Sequence, residues 1–241
     1  MKTTRVLFIA TSHEKMGDTD ETTGVWLEEL ASPYYIFRDA GATLTIASPA
    51  GGPIPLDPKS RSIILATYNT KRFLKDVQAM EFLSHSLLLE EINPDDFDVI
   101  FIPGGHGPMW DLADNKKLKQ ILEKFNHENK PIGAVCHGVV GFLSLQNEAG
   151  GSWVKDKKLT CFSNREEELS GLTSVVPFLL ETRLVSLGAI YSRGEDYVGY
   201  VVEDGNIITG QNPASSKAVA QKIVALVTQN KLAQKLEPVS N

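Results

Sequence analysis

The chain has 241 residues, with 24 basic and 30 acidic side chains and a net charge of −6. With no local run of Lys and Arg, that balance excludes the concentrated basic face that a nucleic acid or an anionic membrane would need. Cys136 and Cys161 show no C-x-x-C spacing, and the five histidines (His13, His85, His106, His127 and His137) show no metal-ligand spacing, so neither a disulfide framework nor a metal is expected.

The N-terminal "MKTTRVLFIA" is too short in apolar residues for a secretory leader, and no run approaches a membrane span. The expectation is a cytoplasmic protein of one domain over residues 1–241.

In chain order, "RVLFIA" (5–10), "TLTIAS" (43–48), "FDVIFIP" (97–103) and "KPIGAV" (130–135) are short apolar runs that read as buried strands. Helical patterns lie between and after them, at about 24–40, about 115–128 and 138–146. This alternation predicts an α/β fold around a parallel sheet covered on both faces. "KLTCF" (158–162) and "GAIYSR" (188–193) read as further strands. "GYVVEDGNIITG" (199–210) carries Asp204-Gly205 between two alternating runs, a hairpin signal. A helix over 212–229 closes the chain. Residues 51–95 break the alternation: they open with the turn-rich "GGPIPLDPKS" and continue with short helical patterns, which predicts an inserted, lid-like helical subdomain.

"PIGAVCHGVVGF" (131–142) places Cys136 and His137 where a strand ends and a helix is expected to begin. A nucleophile elbow has that geometry, with small neighbours at Ala134 and Gly138 allowing the turn. The carboxyl ends of parallel strands are where ligands bind, and a helix N-terminus there would favour a thiolate. Cys161 reads as a buried structural cysteine within a strand.

"FIPGGHG" (101–107) also follows a strand. Its backbone at Gly104, Gly105 and His106 can form an anion-binding nest, and beside a nucleophile that becomes an oxyanion hole. In "TGVWLEELASPYYIFRDAG" (23–41) the apolar stripe runs Val25, Trp26, Leu30, Pro33, Phe37, and Glu29 falls on it. Glu28, on a line with Ser32, Tyr35 and Asp39, is expected to be solvated. A buried Glu29 would have a raised pKa and could relay protons to a nearby thiol. In "CFSNREEELSGL" (161–172) three acids stand together, and spacing does not choose which of Glu166, Glu167 and Glu168 orients His137.

The elbow "AVCHG", the "PGGHG" turn, the "TGVWLEEL" helix and the ending "ITGQNPASS" together resemble the ThiJ/PfpI superfamily. "LDPKS" and "FDVIFIPGGHGPMWDL" are similar to its branch of heat-inducible chaperones and glutathione-independent glyoxalases (glyoxalase III). The resemblance covers about residues 5–228. It implies a flavodoxin-like three-layer αβα sandwich with a mostly parallel sheet and a small helical insert, and a homodimer. It implies Cys136 as nucleophile, His137 beside it, Glu29 as the acid that contacts the cysteine and Glu167 as the third member of the triad. Oxyanion donors would be the backbone N–H groups of Gly105 and His137. The chemistry implied uses no cofactor and converts a small reactive 2-oxoaldehyde to a 2-hydroxy acid.

Rival readings use the same residues. A holding chaperone for unfolded proteins would need exposed apolar surface. A deglycase or an oxidation sensor at Cys136 would share the site. A cysteine peptidase or a class I amidotransferase would also use a cysteine elbow; the amidotransferase would draw a histidine from the C-terminal part, and this chain has none after His137.

Overall fold

The computed structural model describes residues 3–236; the ends of the expected domain, residues 1–2 and 237–241, lie outside them. The elements run β1 (Arg5–Ile9), α1 (Leu27–Asp39), β2 (Thr43–Ser48), α2 (Tyr68–Phe73), α3 (Val77–Ser84), β3 (Leu87–Leu88), β4 (Val99–Ile102), α4 (Pro108–Asp111), α5 (Lys116–His127) and β5 (Ile132–Val135). A 3-10 helix (Cys136–Phe142) follows, then β6 (Lys158–Leu159), α6 (Asn164–Leu169), α7 (Leu180–Ser186), β7 (Ile190–Tyr191), β8 (Val201–Asp204), β9 (Ile207–Gly210) and α8 (Ser216–Leu236).

The main sheet has the order β3-β2-β1-β4-β5-β9-β8, and only the β8–β9 pair is antiparallel. The central strands are apolar at every position because both faces are covered. Alternation then divides their side chains. Val6 and Phe8 of β1, with Val99 and Phe101 of β4, pack under α1 and α8 together with Leu30, Phe37, Val219 and Ile223. Leu7, Ile9, Ile100 and Ile102 face the opposite layer, with Leu118, Ile121 and Phe125 of α5 and Val140 of the 3-10 helix. This is the three-layer αβα sandwich. Strand order reverses between β1 and β4, so the crevice at the carboxyl ends of β1, β4 and β5 is the expected ligand position.

The insert does not stand apart from the sandwich. β3 adds a seventh strand to the sheet beside β2, and Ile54, Phe73, Ala79 and Leu83 join the core under α1. Val25 bridges Leu56, which straps the insert across the entrance to α1. Thr67 at the head of α2 donates its hydroxyl to Glu28. Asn69 donates to Ser32 at 3.1 Å, and Tyr35 donates to Asp76 at 3.1 Å. The face of α1 expected to meet water is therefore covered by the insert from Glu28 to Tyr35, while Asp39 at its end is exposed as expected. Glu28 is half-buried and raised above the usual carboxylate range by that burial, and Ser32 and Tyr35 are buried.

Two further expectations are corrected. The helical pattern over 138–146 is not an α-helix but the seven-residue 3-10 helix. Its two glycines and two valines are poor α-formers, and the segment packs tightly against the end of β4. The strand in "KLTCF" stops at Leu159. The Thr160 N–H leaves the ladder for the Thr209 hydroxyl at 3.0 Å, so Cys161 is buried in the core but lies beyond the strand. The hairpin β8–β9 turns at Gly205-Asn206 as the Asp-Gly signal indicates.

Candidate active site

Cys136 follows β5 directly and has φ +58°, in the left-handed region that a non-glycine residue enters at a cost of roughly 1–3 kcal/mol. The next residue, His137, starts back along the 3-10 helix, so the two side chains emerge together at the sheet's carboxyl edge. Both are buried. Cys136 Sγ lies 3.3 Å from His137 Nδ1. His137 Nε2 lies 2.6 Å from Glu167 Oε2. Thiol, imidazole and carboxylate form one line.

The three neighbouring acids have three different uses. Glu168 is on the surface, paired with Arg165 at 2.7 Å. Glu166 closes a capping box with Ser163 at the start of α6. Its remaining oxygen accepts from the Tyr197 N–H and from Asn212 Nδ2, each at 2.8 Å. Asn212 and Gln211 of the "GQNPASS" segment are buried, and this network holds α6 in place. Glu167, one residue along, is thereby turned toward His137.

Glu167 meets a second imidazole. Its Oε1 lies 2.8 Å from His106 Nε2, and the two histidine rings are 4.2 Å apart. Burial opposes charge on Glu167, yet the two imidazoles hold its carboxyl well below the usual carboxylate range. An ionised carboxylate only accepts hydrogen bonds, so each Nε2 carries a proton and is the donor to Glu167. Burial first, and then His106, pushes His137 below the ordinary histidine value, while Glu167 opposes the shift. His137 is thus a neutral acceptor for the thiol proton. Phe162 closes over its ring at a tilt of 40°, with centroids 4.7 Å apart.

Glu29 sits in the first turn of α1 and is fully buried. Its Oε2 accepts the Gly104 N–H at 2.7 Å, and Oε1 is buried without a hydrogen-bond partner of its own among the described residues. Burial pushes this carboxyl up to about 8, so it is mostly protonated at neutral pH. Burial likewise pushes the Cys136 thiol well up, and a charged Glu29 pushes it further. The expectation that a helix N-terminus would favour a resting thiolate is corrected on this point. One short 3-10 helix does not offset the loss of water around the sulfur.

The Gly104–Gly105 turn is shaped by its neighbours. A Cβ on Gly104 would stand 2.7 Å from the Val135 carbonyl and 2.8 Å from both Glu29 Oε2 and the His137 nitrogen. Gly105 has φ +86°, and a Cβ there would meet the Gly24 carbonyl at 2.1 Å. The Gly104 N–H is spent on Glu29 and is not available to an oxyanion. The Gly105 N–H has no hydrogen-bond partner among the described residues.

The structure thus brings Cys136, His137, Glu29, Glu167, Gly104, Gly105 and His106 together. The link between His106 and Glu167, 61 residues apart, carries no spacing signal. The ligand atoms of His106, His137 and Glu167 lie within 4.8 Å of one another, a cluster that could hold a metal ion although the histidine spacing gave no such sign. The two hydrogen bonds to one carboxylate account for the cluster as it stands. Among the described residues, no helix is long and apolar enough to cross a membrane.

Comparisons with known proteins bear on this site. The chain is 29% identical over 231 residues to "Glyoxalase 3" of Candida albicans, covering 92% of this chain and 97% of the relative. It is also 29% identical over 233 residues to a glutathione-independent glyoxalase of Schizosaccharomyces pombe, covering 91% and 94%. Among solved structures, the Francisella tularensis Rapid Encystment Protein of 24 kDa superposes with a TM-score of 0.87 at 40% identity, covering 92% of this chain and 98% of that one. The DJ-1/PfpI family profile matches residues 22–226, and the chain belongs to the DJ-1/PfpI family.

Proposed function

We propose that this protein is a glutathione-independent glyoxalase that converts a small 2-oxoaldehyde, such as methylglyoxal, to the corresponding 2-hydroxy acid. The observation that carries the reading is the pairing at one thiol of two proton-handling groups of opposite kind: a neutral imidazole anchored on Glu167 and a protonated, buried Glu29. A hydrolase needs only the first. Moving hydrogen between two carbons needs the second as well.

His137 takes the thiol proton, and the sulfur bonds to the aldehyde carbon C1. Glu29 gives its proton to the resulting oxyanion, which the N–H groups of Gly105 and His137 receive. The product of this step is a hemithioacetal. The Glu29 carboxylate then removes hydrogen from C1 while the C2 oxygen gains a proton from the imidazolium, giving an enediol. Glu29 returns the proton to C2 and recovers one from the C1 hydroxyl, which leaves a thioester of the 2-hydroxy acid. Water hydrolyses it and frees Cys136. No electron leaves or enters.

The test is formation of 2-hydroxy acid from methylglyoxal without glutathione, beside Cys136→Ala and Glu29→Gln. Product from the wild type and from neither variant supports the reading; turnover by Cys136→Ala sinks it.

A second reading is favoured by a separate observation. On the insert, Ile63, Ile64, Tyr68 and Val77 are 89%, 92%, 79% and 80% exposed. Exposed apolar side chains of this kind suit capture of unfolded polypeptide, and this activity would not need Cys136.

A further inference from the structure

Glu167 carries two imidazoles in equivalent ways. One oxygen accepts His137 Nε2–H at 2.6 Å, and the other accepts His106 Nε2–H at 2.8 Å. Each ring is thereby fixed in the tautomer that leaves Nδ1 as the basic atom. His137 Nδ1 is occupied by the Cys136 thiol at 3.3 Å. His106 Nδ1 is buried and has no hydrogen-bond partner among the described residues. A buried acceptor without a donor is costly unless something transient supplies one. The ring stands 4.2 Å from that of His137 and follows directly on the Gly104–Gly105 turn. It is also the ring nearer to water: the His106 side chain is 8% exposed and that of His137 is 0%.

We propose that His106 is the general base for the hydrolytic half of the reaction, its free Nδ1 activating the water that attacks the thioester on Cys136. This rests on the glyoxalase reading and deepens it. The two histidines divide the work. His137 takes the proton of the nucleophile, and His106 takes the proton of the water. In the step itself, His106 Nδ1 removes a proton as the water oxygen bonds to the thioester carbonyl carbon. The carbon–sulfur bond then breaks, the Cys136 sulfur leaves with the electron pair, and the imidazolium proton returns to it. The 2-hydroxy acid departs, and one water has been consumed.

The test is His106→Gln in the whole protein, with methylglyoxal as substrate. The Gln amide nitrogen reaches as far as Nε2 and keeps a donor to Glu167, while the base at Nδ1 is gone. Two measurements are made: steady-state production of 2-hydroxy acid, and intact mass after brief mixing, with hydroxylamine capture to identify a thioester. The expected result is turnover reduced by about 100-fold or more, the range for a lost general base, with one substrate mass accumulating on Cys136 as a hydroxylamine-sensitive thioester. Wild-type turnover in the variant would overturn the proposal. So would loss of turnover with no thioester, because His106 would then only position Glu167. Wild-type protein that forms no 2-hydroxy acid would remove the glyoxalase reading and this step together, an outcome distinct from the other two.

Discussion

Glu29 and Gly104, 75 residues apart in sequence, are joined by a 2.7 Å hydrogen bond in which the Gly104 N–H donates to the Glu29 carboxyl. The bond fixes the acid of α1 against the turn after β4, and the close approach needs a residue without a side chain at 104. It also selects which carboxyl oxygen is left for chemistry. With Oε2 accepting, the proton of the neutral acid belongs on Oε1, which has no hydrogen-bond partner among the described residues.

This burial has a price in stability that depends on pH. Glu29 titrates at about 8 in the folded protein, against 4.5 for an ordinary glutamate. Between these values the folded state holds a proton that the unfolded chain has released, so stability falls as pH rises from about 4.5 to about 8. Glu29→Gln keeps an acceptor for Gly104 and removes the titration. It should match the wild type near pH 4.5 and exceed it at pH 7–8 by about 3–4 kcal/mol. Thermal melts at a series of pH values measure this; a variant less stable than wild type at pH 8 would contradict it.

The same pair sets the reactivity of the thiol. Burial, the charge of Glu29 above its titration and the more distant Glu166 all raise Cys136. Alkylation by iodoacetamide should therefore climb only on the alkaline side of an ordinary thiol, and Glu29→Gln should move the midpoint down. Cys161, buried and raised likewise, should stay unlabelled in the native state. A wild-type midpoint below pH 7 would mean that a resting thiolate exists and that the burial argument fails.

Glu166, Glu167 and Glu168 separate cleanly by substitution. Glu167→Gln removes the charge that anchors both imidazoles and should lower turnover by about 100-fold or more with little loss of fold. Glu166→Gln weakens a buried capping network that also holds Tyr197 and Asn212, and should cost about 1–3 kcal/mol of stability. Glu168→Gln loses an exposed pair with Arg165 and should change neither. Kinetics and chemical denaturation of the three variants give the answer; a silent Glu167→Gln would remove it from the site.

These three acids also mark where sequence stops being informative. The sandwich was legible because its strands are local apolar runs and its helices have a period. Cys136 was legible because the elbow is a local motif, and Glu29 because an acid on an apolar stripe is out of place. Which acid meets His137 is set by the roll of a six-residue helix, itself fixed by Asn212 and Tyr197 from later in the chain. Glu28 departs from its expected exposure for the same reason. The pattern on α1 records that one face is polar, but not that α2 would cover it with Thr67 and Asn69. Pairings set by tertiary contact leave no period to read.

The exposed residues of the insert give the last prediction. Ile63 and Ile64 stand nearly free of the surface, and Leu65, Tyr68, Leu74 and Val77 of the same insert are also exposed, while Phe73 and Leu83 of the same segment anchor it in the core. Ile63→Ser with Ile64→Ser removes apolar surface without touching that anchor, so the fold and the Cys136 site should be unaffected. If the patch captures unfolded chains, the double variant should lose suppression of the thermal aggregation of a client protein, while Cys136→Ala keeps it. Light scattering of the client against added variant measures both. Full suppression by the double variant would show that the patch has no part in it, and loss of suppression by Cys136→Ala would tie that activity to the catalytic site.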